Sequence, residues 1–152
     1  MAAATDALVR WQRALTCALL LAGCAPGGSI DPGDAKQVAR GEAVYREHCA
    51  SCHGARLEGQ PDWRQRRPNG RLPAPPHDAS GHTWHHPNEL LINIVRQGMV
   101  PPWAPAGYDS DMPAFGGHLS DADILAVLAY IQSTWPPEVR EQRARMLQQG
   151  RP

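Results

Sequence analysis

Cys49-Ala50-Ser51-Cys52-His53 brings two thiols and an imidazole together within five residues. Two thiols about one helical turn apart can add to the two vinyl groups of one haem, and the next residue then presents its imidazole to the iron. Other chemistries share the bare C-x-x-C. A thioredoxin-like redox pair would sit in a βαβ pattern, and none surrounds it. A zinc site would need a second Cys pair, and none exists. A structural disulfide is open to any exported chain. The adjoining His53, together with the export signal described below, favours covalent haem.

The segment upstream has helical periodicity. From Lys36 to His48, Val38, Ala39, Ala43, Val44 and Tyr45 form an apolar stripe. A second helix is signalled by His86-Pro87-Asn88-Glu89, with Pro87 at the first helical position, His86 as N-cap and Gly98 as stop. Its apolar face is Leu90, Leu91, Ile94 and Val95. A third begins after Ser120, a good N-cap, with Asp121 and Asp123 suiting the helix dipole. Ile124, Val127, Leu128 and Ile131 are its buried stripe, and Pro136 and Pro137 end it. Residues 138–149 read as a further charged helix, with Arg140, Arg143 and Arg145 on a solvated face.

Two thioethers, Met99 and Met112, are candidates for the far side of the iron. Met112 precedes Pro113, which holds it extended. His77, His82, His85 and His86 fall within ten residues. A second metal site there is one possibility, since imidazole suits copper and zinc; a wet loop that orders Trp84 is the plainer one.

The chain has 152 residues, and 15 Lys+Arg balance 15 Asp+Glu. A nucleic-acid binder driven by bulk charge is disfavoured. Fifteen Pro and 14 Gly accompany a single Phe, so the chain is loop-rich and has little with which to fill a core unaided. No apolar run reaches the length of a transmembrane helix, about 20 residues. Residues 1–23 instead read as a signal peptide: Arg10 and Arg13 precede an apolar run from Ala14 to Ala22 that contains Cys17. The run ends in Leu21-Ala22-Gly23-Cys24, which resembles the lipobox of bacterial lipoproteins, with Cys24 the acylated residue. Residues 24–34 then form a flexible tether. Loss of Asp6, Arg10 and Arg13 leaves 13 bases against 14 acids, so the processed chain is mildly acidic.

Residues 36–135 resemble a monohaem class I cytochrome c domain of the bacterial type. The resemblance rests on Gly41-x-x-x-Tyr45-x-x-x-Cys49, on Cys49-Ala50-Ser51-Cys52-His53-Gly54, on Met112-Pro113-Ala114-Phe115, and on Leu119-Ser120-Asp121 followed by a helix ending in Ala129-Tyr130-Ile131. It implies an all-α fold of three to five helices round one haem c, with the domain at 35–136 and a charged helix or tail at 137–152. It implies His53 and Met112 as iron ligands, with Met99 in the core or at the crevice lip. It implies a close helix crossing at Gly41 and Tyr45 against Val127 and Tyr130. A Pro carbonyl, Pro75 ahead of Pro73, would receive the His53 ring N–H, and Arg64 and Trp84 would bond the haem propionates. The implied role is one-electron transfer without catalysis, on the periplasmic side of the cell envelope, lipid-anchored to a membrane. Partners would be an oxidase, a quinol-oxidising complex or a periplasmic dehydrogenase, with no nucleic acid. Two alternatives are a five-coordinate haem peroxidase or sensor, and a metal-handling factor built on the four histidines.

Overall fold

The computed structural model describes residues 28–150. The expected signal peptide, Cys17, Cys24 and the first residues of the expected tether lie outside them. Among the described residues there are five α-helices, one 3₁₀ turn and no strand: α1 (Ala35–His48), α2 (Ala50–His53), the turn Thr83–His85, α3 (Asn88–Gln97), α4 (Asp121–Ser133) and α5 (Pro137–Gln148). The all-α expectation holds. No described helix is long and apolar enough to cross a membrane.

Local chemistry explains the helix starts. The Asp34 side chain accepts from the Lys36 and Gln37 amides and starts α1. Ser120 and Asp123 form a reciprocal capping box at α4. Pro137 occupies the first turn of α5, where its missing N–H costs nothing. In α3 the start is one residue later than expected: Pro87 is the cap and Asn88 the first helical residue. His86 instead closes the 3₁₀ turn. The part of the expected tether within the described residues is docked, since Gln37 bonds both Ser29 and Asp31 and Ile30 packs against the core.

The buried stripe of α1 is narrower than the sequence pattern suggests. Gly41, Val44 and Tyr45 are buried, whereas Ala39 and Ala43 are exposed. Alanine is apolar enough to read as core, yet loses little by facing water. α1 crosses α4 at Gly41, which lies against the Ala126 carbonyl and the Tyr130 side chain. Tyr130 is an expected partner; Ala126 takes the place of Val127. One residue further round α4, by about 100°, Val127 turns to the cavity described below. The Tyr45 and Tyr130 rings meet at 5.5 Å. The Tyr45 hydroxyl donates to the Gly54 carbonyl at 2.9 Å, tying α1 to the end of α2. Burial pushes the Tyr45 phenol well above its ordinary pKa, so it stays a neutral donor.

α5 corrects a further expectation. Arg140 and Arg145 are exposed, but Arg143 is buried at 6% exposure. Its guanidinium satisfies carbonyls more than fifty residues away, a demand no local pattern reveals.

Candidate haem-binding site

α1, α2, α3, α4 and the loops between them enclose a cavity of about 460 Å³, within the size range of cofactor sites. Cys49, Cys52 and His53 line it from α2 and its cap. Leu91, Ile94 and Val95 line it from α3, and Val127, Leu128 and Ile131 from α4. Met99 and Met112 both reach it. The Phe115 amide donates to Val95 at 3.0 Å and the Gly116 amide to Arg96 at 2.9 Å, so the chain after Met112 is fastened to the last turn of α3.

Cys49 and Cys52 are free thiols, Cys49 half-buried and Cys52 exposed. The disulfide alternative is therefore not what the structure holds. Burial, with Cys52 adding a smaller effect, pushes the Cys49 thiol up to about 11. His53 is 8% exposed, and its Nδ1 lies 2.8 Å from the Pro75 carbonyl oxygen. A carbonyl only accepts, so Nδ1 carries the proton and Nε2 keeps its lone pair. Burial lowers the His53 pKa, against a smaller opposing effect of the Pro75 bond, so the ring is held neutral. The expected Pro75 carbonyl is thus in place.

The four histidines do not form one group. The His77 ring stacks on His53, centroids 3.9 Å apart and planes 22° apart. Its Nδ1 is 2.8 Å from Thr83 Oγ1, and its carbonyl accepts the buried Trp135 indole N–H at 2.8 Å. His82 stacks on Trp63 and meets His86 edge-on, while His85 is exposed. Among the described residues no set of three or more His, Cys, Asp or Glu is placed to hold a metal ion. The metal-handling alternative therefore loses its site, because His77 is committed to the wall behind His53. Sequence spacing put His77 in the wrong group; the proline-rich turn before it is the feature that folds it back.

Arg64 and Trp84 do not line the cavity. Arg64 lies over the Trp63 ring at 4.4 Å. The Trp84 indole N–H is buried without a partner among the described residues. Gln60, Arg67, His82, Tyr108 and Ser110 are polar groups that do line it. Arg67 also bonds Gln60 at 2.6 Å. The cluster Arg64, Arg66, Arg67 and Arg71 was the available sequence signal for that cation. These residues fit a haem: two thiols, a neutral imidazole with a lone pair, thioethers, apolar walls, and a buried His82 Nδ1 without a hydrogen-bond partner among the described residues.

The Cytochrome c family model matches residues 38–135, and the chain belongs to that family. Its cofactor is a covalently attached haem c, carried on Cys49 and Cys52. Among curated proteins the chain is 29% identical over 106 residues to the gluconate 2-dehydrogenase cytochrome c subunit of Pantoea cypripedii. The alignment covers 68% of this chain and 21% of that protein, so the chain spans about a fifth of the length of this relative. No solved structure matches the chain. The whole of α5 lies beyond the family match.

Proposed function

We propose that the protein is a one-electron carrier of the bacterial cell envelope, with His53 and Met112 as the two iron ligands. The observation that carries this is the His53 Nδ1 contact with Pro75, which leaves Nε2 as the coordinating nitrogen in a cavity that Met112 also lines. When bound, the haem supplies a reversible ferrous–ferric couple. The chain does the rest. Pro75 orients His53 and raises its basicity. Met112, a soft neutral thioether, favours the ferrous state. Leu91, Ile94, Val127 and Leu128 keep water from the cavity. With His53 and Met112 both holding the iron, a bound haem would have no open position for a substrate, which supports an electron carrier over an enzyme.

The family match and the dehydrogenase cytochrome subunit support a redox-protein partner, here a periplasmic dehydrogenase as donor, with an oxidase or quinol-oxidising complex as the other class. Cys52 is exposed, so the thioether edge offers a short path to a transient partner. Export and acylation at Cys24 place the domain on the periplasmic side of a membrane. The ferric absorption spectrum tests the ligation: a low-spin spectrum with a methionine–iron charge-transfer band, lost in Met112→Ala, is expected. A high-spin wild-type spectrum would instead establish the five-coordinate peroxidase or sensor. Membrane fractionation of Cys24→Ser, which should move to the soluble fraction, tests the anchor.

A further inference from the structure

Arg143 makes its contacts far from its own helix. Its guanidinium donates to the Trp84 carbonyl at 2.8 Å, to the His86 carbonyl, and to Asn88 Oδ1 at 2.6 Å. It also lies 5.3 Å from the Trp135 ring centroid. Its hydrogen-bond partners are two carbonyls and an amide oxygen, with no carboxylate among them. Burying a cation on such terms is costly unless each acceptor is held in place, because desolvation is repaid only by well-aimed dipoles. The planar fork of arginine suits acceptors that converge in this way.

Those acceptors belong to one wall of the haem cavity. His82, Thr83 and His86 line the cavity from the 3₁₀ turn whose carbonyls Arg143 holds. Asn88 opens α3, which presents Leu91 and Ile94 to the same cavity. Asn88 Oδ1 also accepts from Gln132 Nε2 at 2.9 Å, so one amide oxygen joins α3, α4 and α5. Trp135, under the guanidinium, holds the His77 carbonyl behind His53.

We propose that Arg143 is a positioning residue for the haem site: from outside the family-matched segment it locks the 82–88 wall shut against water and foreign ligands. A drier cavity disfavours the more highly charged ferric state, so the lock also raises the reduction potential. This rests on the proposed His53 and Met112 ligation.

The test compares the haem-loaded full chain with Arg143→Met and Arg143→Lys. Titration of the ferric proteins with imidazole gives ligand access, and redox titration gives the potential. Arg143→Met should keep its helical circular dichroism, bind imidazole about tenfold more tightly, the scale expected from losing a charge-assisted hydrogen-bond set, and show a lower potential. Arg143→Lys, which restores the charge but not the fork, should fall between. If Arg143→Met gives no holoprotein, Arg143→Lys and Asn88→Ala carry the same expectation. Imidazole affinity and potential unchanged from wild type in every variant that loads haem would overturn the proposal. A high-spin wild-type spectrum would overturn only the ligation, because imidazole access would still separate the proteins.

Discussion

A Cβ added to Gly41 would lie 1.9 Å from the carbonyl oxygen of Ala126 and 2.9 Å from Cβ of Tyr130. The α1–α4 crossing therefore depends on a missing methyl group. Gly41→Ala gains about 1 kcal/mol of helix propensity. The methyl meets backbone rather than a flexible side-chain tip, so overpacking costs about 3 kcal/mol or more. Chemical denaturation of the haem-loaded protein should show a net loss of about 2 kcal/mol. A gain in stability would show that the helices can separate at no cost.

Asp123 couples the start of α4 to α1. Its carboxylate accepts from Arg40 Nε at 2.8 Å and from the Ser120 hydroxyl at 2.6 Å. Together, Arg40 first, they hold its pKa at about 2. The unfolded value is near 3.9, so the stabilisation is complete above that value and is lost as pH falls through about 2. Its side chain is 23% exposed and solvent screens the ion pair. Asp123→Ala should therefore cost only about 1 kcal/mol at neutral pH. Denaturation across the acid range should show that difference closing between about pH 4 and pH 2.

What the sequence makes legible is what must be contiguous. Thioether attachment and the proposed ligation need Cys49, Cys52 and His53 within one turn, and capping needs Ser120 within three residues of Asp123. The acceptor for His53 followed from the family resemblance, and a proline run such as 73–76 suits it, because its carbonyls have few N–H groups of their own run to pair with. Arg143, His77 and Arg67 were not legible in the same way. Arg143 lies in a helix of otherwise solvated charges, and its burial is set by carbonyls 59 and 57 positions earlier. His77 shares a short stretch with three other histidines but faces His53, 24 positions before it. Only the folded loop separates these roles.

Gly59 sits between His53 and its acceptor. Its amide donates to the His53 carbonyl at 2.7 Å, and a Cβ would lie 2.7 Å from the Pro75 carbonyl carbon and 2.4 Å from the Pro76 nitrogen. Its φ of +69° adds backbone strain for any side chain, about 1–2 kcal/mol. Gly59→Ala should push the Pro75 carbonyl away from Nδ1. With His53 as the proposed iron ligand, a weaker bond makes it a poorer donor to ferric iron, so the reduction potential should rise while stability falls by about 2–4 kcal/mol. Redox titration at constant pH checks this. A potential that stays fixed while stability falls would show that the carbonyl orients the ring without tuning it.

Met112 and Met99 line the same cavity, and substitution separates them. The Met112 amide donates to Ser110 Oγ at 3.1 Å, and the residues after Pro113 are bonded to the end of α3. Met112 is thus held from both sides, which suits its proposed role as a ligand. Met112→His exchanges a thioether for an imidazole, a better donor to the ferric state, and should lower the potential by on the order of 0.2 V, within the roughly 0.8 V that axial ligands span. Met99→Leu conserves volume and should leave both potential and charge-transfer band unchanged. Loss of that band in Met99→Leu, with its retention in Met112→Ala, would move the ligand to Met99 and make the Met112–Pro113 segment part of the cavity rim.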